Sequence, residues 1–222
     1  MSTTLDRSKS GAPPREDEGR VIIHDVPWSH YETLLELFKD RRSLRLTYYQ
    51  GTLEIMSPSP RHEWYKEIFG SLVRSLAAGL KIDYAPFGST LFKSKLRARG
   101  VEPDACFLIA SYRPDIKWRE YDPAVGPPPD LMFEIDLTSG SSVRLKTYAD
   151  MKVAEVWRFD GVDLTVLVLR DGAYVPSGHS PSFPLAPLDR LAAFVRDFED
   201  GSERVWMDKV RAWAGSLGKG ER

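Results

Sequence analysis

Two apolar runs in the middle of the chain carry acids where a buried strand should carry none. The first is Val101-Glu102-Pro103-Asp104-Ala105-Cys106-Phe107-Leu108-Ile109, and the second is Pro129-Asp130-Leu131-Met132-Phe133-Glu134-Ile135-Asp136-Leu137. Runs of this length and composition read as strands within a sheet. A carboxylate there is costly unless it is paired or holds a metal. The acids in such runs must therefore meet a positive partner or a metal. Ser139-Gly140-Ser141-Ser142 follows, then a helix bearing Lys146. Two strand carboxylates and a nearby amine point to a small metal-dependent hydrolytic site.

The remaining sequence supplies the support. Residues Met1 to Arg20 are rich in Ser, Pro, Gly and charge and read as a disordered tail. Val21 to Val26 is extended. Pro27-Trp28-Ser29 opens a helix with Ser29 as its cap. Leu44–Tyr49 and Thr52–Met56 alternate about Gln50-Gly51, which is a hairpin. A helix runs from about Arg61 to Gly79, with Trp64, Ile68, Leu72 and Leu76 on one face. Strands are expected over Ile82–Leu91, Val101–Ala110, Leu131–Leu137 and Glu155–Phe159, with a short helix over Val143–Met151. A second hairpin turns at Arg170-Asp171-Gly172. Leu188–Phe198 and Glu203–Leu217 are helical. This order predicts an α/β fold, a mixed sheet flanked by helices, with an added β-hairpin and C-terminal helices. Three parts are expected: the tail (1–20), a main domain (21–187) and a helical extension (188–222). No Walker loop and no Gly-x-Gly-x-x-Gly after a strand is present.

Composition narrows the function. With 31 Lys and Arg against 32 Asp and Glu, the net charge is -1, so any contact with nucleic acid must come from a local patch. The most basic stretch is Lys93, Lys95, Arg97 and Arg99. In an extended hairpin these alternate residues share one face and could track a phosphate backbone; equally, they could be lysines guarding an edge strand. The single cysteine, Cys106, excludes an intrachain disulfide and fits a reducing cytoplasm. It reads as a small core residue. No apolar run approaches the roughly 18 residues of a membrane helix, and the N-terminus lacks a hydrophobic signal core, so no membrane association is expected.

Asp104 and Glu134 are the candidate metal ligands. If their strands pair, both carboxylates converge on one hard cation, magnesium or manganese, with the carbonyl of Ile135 as a third ligand. Lys146 would orient the attacking water or neutralise phosphate charge. Asp136, two residues after Glu134, points to the same face and is a further ligand or a supporting acid. Glu63 suits the first turn of its helix and is placed for a water-mediated contact. Asp130 and Glu102 read as structural. The four histidines are scattered and His62 has no His-x-x-x-His partner, which argues against zinc.

Several segments, in this order, resemble a family. They are Tyr49-Gln50-Gly51-Thr52-Leu53-Glu54-Ile55-Met56-Ser57-Pro58, Arg61-His62-Glu63, Gly100-Val101-Glu102-Pro103-Asp104, Pro128-Pro129-Asp130-Leu131-Met132-Phe133-Glu134-Ile135, Arg144-Leu145-Lys146-Thr147-Tyr148-Ala149 and Val153-Ala154-Glu155-Val156-Trp157. Together they resemble the Uma-type restriction-endonuclease-like proteins of the PD-(D/E)XK nuclease superfamily, from about Asp25 to Pro184. The resemblance implies a central four-stranded mixed sheet, Asp104 as first acid, Glu134 as second, and DNA as substrate. The superfamily lysine would stand two residues after the glutamate, where this chain has Asp136; Lys146 on the following helix would then fill the role. A homodimer would suit double-strand cutting. The rival reading is a catalytically inactive nucleic-acid- or protein-binding module on a nuclease fold. A glycosidase-like carboxylate pair ranks last, for want of an aromatic platform.

Overall fold

The computed structural model describes residues 19–40, 44–115, 117–138, 142–198 and 201–218. In chain order the elements are β1 (Gly19–Ile23), α1 (Trp28–Phe38), β2 (Arg45–Tyr49), β3 (Thr52–Ser57), α2 (Pro60–Leu80), β4 (Ala85–Pro86), β5 (Phe92–Ser94), β6 (Arg99–Val101), β7 (Ala105–Leu108), β8 (Leu131–Ile135), α3 (Ser142–Met151), β9 (Glu155–Phe159), β10 (Leu164–Arg170), β11 (Ala173–Ser177), α4 (Leu188–Arg196) and α5 (Glu203–Leu217). The strands form two sheets. One has the order β1-β3-β2-β6-β5, the other β11-β10-β9-β8-β7-β4. The first is antiparallel throughout, while the second is mixed because β8 and β9 run parallel. The mixed α/β architecture is therefore as the sequence implies.

Both hairpins close as their turn residues dictate. Gln50 and Gly51, and likewise Asp171 and Gly172, hold positive φ at both central positions. That is the tight two-residue turn whose twist matches the flanking strands.

Alternation along each strand sorts the side chains. In the mixed sheet Ala105, Phe107, Leu131, Phe133, Ile135, Trp157 and Phe159 form one face and pack with Ile68, Phe69, Leu72 and Leu76 of α2. Cys106, Met132, Val156 and Leu167 form the other face and pack with Tyr148 and Met151 of α3. Glu134, between Phe133 and Ile135, is thereby turned toward α3. In the antiparallel sheet the register sets Arg45 opposite Met56 and Thr47 opposite Glu54, so these four share a face. The intervening Leu46, Tyr48 and Leu53 form a separate apolar cluster with Tyr31 and neighbouring α1 side chains. Helix α3 lies between the sheets, touching β2 and β6 of one and β11 of the other.

Several expectations need correction. The run Val101–Ala110 is not one strand. It breaks at Glu102-Pro103-Asp104, and β6 and β7 belong to different sheets. Ile82–Leu91 yields only the two-residue β4, since Pro86 and Gly88 interrupt it. Helix α1 starts at Trp28 with Pro27 as its cap residue and no side-chain cap from Ser29. Trp64 is 41% exposed, because four-residue spacing drifts off a 3.6-residue helix and the buried face runs through Ile68, Phe69, Leu72 and Val73 instead. Gly19 and Arg20, expected in the tail, already belong to β1, while residues 1–18 lie outside the described ones. Helices α4 and α5 share the main core through Leu191, Val195, Trp206 and Val210. Gly79 of α2 permits this approach, since a Cβ there would stand 2.5 Å from the Arg211 carbonyl.

Candidate functional site

Asp104 occupies the crossing between the two sheets, immediately before β7, and is fully buried. Every contact it makes explains its position. Its Oδ1 accepts a hydrogen bond from Nε2 of His62 at 2.9 Å, and its Oδ2 accepts one from the Ile135 amide at 2.7 Å. The Arg45 guanidinium stands 3.4 Å from Oδ1 and also donates to the Pro103 carbonyl. His62 reaches this point because α2 begins at Pro60, with the Ser59 hydroxyl accepting from the His62 amide at 3.1 Å. Burial pushes the Asp104 carboxyl up, but the His62 bond and the charges of His62, Arg45 and Arg144 outweigh it, holding the group well below the usual carboxylate range.

Glu134 lies on the adjacent strand β8 and is 6% exposed. Its two oxygens accept from Nη1 of Arg144 and from the Tyr148 hydroxyl, both on α3. Arg144 is itself buried. Its Nε stands 3.3 Å from Glu54 Oε1 and its Nη2 lies 3.1 Å from the Met56 sulfur, both on β3. One guanidinium thus joins acids from the two sheets. Burial pushes the Glu134 carboxyl up to about 7, with the Asp104 charge adding to the rise and Arg144 opposing it. Burial also drives the Tyr148 hydroxyl well above its ordinary value, which keeps it a donor.

Other charges surround this centre. Asp136 stands 3.6 Å from Nη2 of Arg20 on β1. Glu63 pairs with Arg45 and with Lys66, each at 2.8 Å, and these cations hold its carboxyl low against the effect of burial. A hollow of about 20 Å³ is lined by Arg20, Glu134, Asp136, Arg144 and neighbouring residues. That is room for about one water.

Glu134 and Asp136 line one hollow, Asp104 is tied to the residue between them through the Ile135 amide, and Glu63 is linked to Asp104 through Arg45. Ile135 is present through its amide, which donates to Asp104, rather than through its carbonyl. Lys146 does not join them. It is exposed and lines a different hollow, beside Tyr49, Asp150 and Lys152. Two residues of helix turn the side chain by about 200°, so Arg144 faces the acids and Lys146 faces away. The basic stretch is also divided. Phe92 pairs with Val101 and Ser94 with Arg99, which puts Arg99 on the face of Phe92 and Lys93 on the opposite one. Lys95 and Arg97 lie in the intervening turn. The expectation of four cations on one face fails because the turn resets the alternation. Asp130 is structural as expected, since it accepts from the Ile109 and Ser111 amides and the Ser111 hydroxyl.

Sequence reasoning missed Arg45, Glu54, His62, Arg144 and Tyr148. A signal for two of them existed. Val143, Arg144, Thr147, Tyr148 and Met151 recur at three- and four-residue spacing and form the buried face of α3. Arg45 and Glu54 announce themselves only through cross-strand pairing.

The residues from 28 to 197 match the family described as "Uma2: Putative restriction endonuclease". The chain belongs to that family. The match ends just after α4, so that helix, expected beyond the resemblance, falls inside the Uma2 region. Among solved structures, the chain is similar to one titled "Crystal structure of a putative nuclease belonging to DUF820 from Anabaena variabilis ATCC 29413". The two share 18% identity with a TM-score of 0.44, over 73% of this chain and 90% of the other. A comparison with curated proteins gave no match. No helix among the described residues is long and apolar enough to cross a membrane.

At this Uma2 site Asp104 and Glu134 offer carboxylate oxygens, the donor type that hard divalent cations take, although His62 and the Ile135 amide engage those of Asp104 and Arg144 and Tyr148 those of Glu134. Among the described residues no group of three or more His, Cys, Asp or Glu side chains is gathered in metal-binding geometry. The charge of Glu134 is met by Arg144 instead. A cation and the Arg144 guanidinium would therefore compete for the same carboxylate.

Proposed function

We propose that this Uma2 chain is a divalent-metal-dependent nuclease that hydrolyses phosphodiester bonds of DNA. The observation that supports the reading is the burial of two acids, Asp104 just before β7 and Glu134 on the paired strand β8, close enough for their charges to act on each other and for both to feel the buried Arg144 guanidinium. Asp104 and Glu134 would hold magnesium or manganese, which supplies an activated water and neutralises the scissile phosphate.

The remaining roles belong to side chains of this chain. His62 and the Ile135 amide fix the Asp104 carboxylate, so that it needs no reorganisation when a charged substrate arrives. Tyr148 orients Glu134. Arg144 takes the role first assigned to Lys146. It is permanently charged and lies among the acids, where a guanidinium can neutralise charge developing on a phosphoryl oxygen. Arg45 balances Asp104 and Glu63, and Arg20 holds Asp136.

A second reading, a binding module that does not cut, draws support from the hollow of about 20 Å³ beside Glu134 and from the Arg144 contact that closes it. Incubation of supercoiled plasmid and labelled oligonucleotides with magnesium or manganese separates the two. Nicking that is lost in Asp104→Asn and Glu134→Gln supports the nuclease. Binding without cleavage under either ion supports the module.

A further inference from the structure

The lysine that turned away from the acids belongs to a second feature. Outside the Glu134 region a hollow of about 240 Å³ is lined by Tyr49, Lys146, Ala149, Asp150, Lys152 and Gly172. Lys146 and Lys152 are exposed. Arg99 forms an ion pair with Asp150, and Nη1 of Arg97 lies 3.6 Å from the same carboxylate. Two lysines thus line the hollow with Asp150, and two arginines from a separate segment meet that same acid, in a chain whose net charge is -1.

Lys152 adds an independent observation. It ends α3 in the left-handed conformation, φ 65°. Its amide donates to the Ala149 carbonyl, and the next amide, Val153, donates to Tyr148, each at 3.1 Å. Glycine is the unstrained residue at this helix-ending position. A lysine there works against the stability of the turn and sets an ammonium at the rim of the hollow.

We propose that this hollow, between the end of β2, the β10–β11 turn and the outer face of α3, docks the phosphate backbone of nucleic acid, with Lys146 and Lys152 in its lining and Arg97 and Arg99 beside it through Asp150. The proposal rests on the nuclease reading for its substrate, and it names where that substrate is held. Arg144 and Lys146 project from opposite sides of one helix. The hollow therefore holds the backbone on the side of α3 away from the acids. Asp150 keeps Arg97 and Arg99 in place until phosphates compete for them.

The test uses the full chain and a fluorescein-labelled 20-base-pair DNA duplex, with EDTA present so that nothing is cut. Anisotropy titrations run from 50 to 200 mM KCl. Lys146→Ala and Lys152→Gly should each weaken binding and reduce the slope of log affinity against log salt by roughly 0.9. Lys152→Gly should also raise Tm by about 2–4 °C, so weaker binding cannot be ascribed to a damaged fold. Unchanged affinity and slope in the double variant would overturn the proposal. So would wild-type protein that fails to bind duplex at 50 mM KCl, or that binds anionic vesicles and no duplex. Plasmid cleavage is scored separately. Duplex binding with the stated salt response in a protein that cuts nothing keeps the docking surface and removes the nuclease reading. Cleavage that persists with unaltered affinity in the double variant does the reverse.

Discussion

Arg144→Met asks whether one buried guanidinium holds the two sheets' acids together. Methionine roughly preserves the stem and removes the charge. In the wild type Arg144 serves Glu134 through Nη1 and Glu54 through Nε, at 3.3 Å, and all three side chains are almost wholly buried. Breaking a buried pair by deleting one partner costs about 3–5 kcal/mol, because the remaining charge is left uncompensated. For a chain of this size that is a fall in Tm of roughly 6–20 °C. The loss should depend on pH. At pH 8 Glu134, with its carboxyl at about 7, is mostly ionised in the wild type, so the full penalty applies. At pH 5 it is protonated with or without Arg144, and only the Glu54 contact is lost. Magnesium should then restore more stability to the variant than to the wild type at pH 8. A ligand at 100 times its Kd adds about 2.7 kcal/mol. Differential scanning calorimetry at pH 5 and pH 8, with and without magnesium, reads all of this. Equal losses at both pH values, or equal magnesium effects on both proteins, would refute the reasoning.

Other outcomes follow from the same geometry. Folding raises the Glu134 carboxyl from its ordinary 4.5 to about 7. Its contribution is fully present below 4.5 and is lost as pH rises through 7, by about 3 kcal/mol at most. Folding lowers the Asp104 carboxyl, so its contribution is present above 3.8 and is lost as pH falls further. Urea unfolding should therefore show greatest stability between these limits, and Glu134→Gln should flatten the alkaline side. Gly100→Ala should destabilise the antiparallel sheet strongly, because the added Cβ would overlap the buried Tyr31 ring; a chemical-denaturation midpoint within error of wild type would contradict this. Cys106 is buried with its thiol pushed up to about 12 and donates to the Gly88 carbonyl. It should resist an aromatic disulfide reagent until the chain is unfolded.

What could be read from the sequence was what local chemistry decides. Gln50-Gly51 and Asp171-Gly172 set their turns, and Glu155–Phe159, closed by Asp160-Gly161, read as a strand that the structure reproduces residue for residue. Helix α5 is likewise found over Glu203–Leu217. The carboxylates in the apolar runs were visible as anomalies for the same reason, since burial makes them costly. What could not be read was the partner of each acid. Glu54 meets Arg144 only because β3 pairs with β2 and α3 lies between the sheets. Asp104 meets His62 only because β6 and β7 part at Pro103. The assignment of the cation to Lys146 failed on helical phase, which the sequence does contain. The shared basic face failed on a turn whose length determines which side chains line up.

The central claim is that Asp104 and Glu134 act as a pair on a phosphodiester. Initial rates of cleavage of a supercoiled plasmid with magnesium or manganese, at pH 8, test it most directly. Wild-type protein should nick the plasmid, and Asp104→Asn and Glu134→Gln should each lower the rate at least 100-fold, on the order of the contribution expected of a metal-supported step, while circular dichroism shows both variants folded. Folded variants that cut at the wild-type rate would contradict the account.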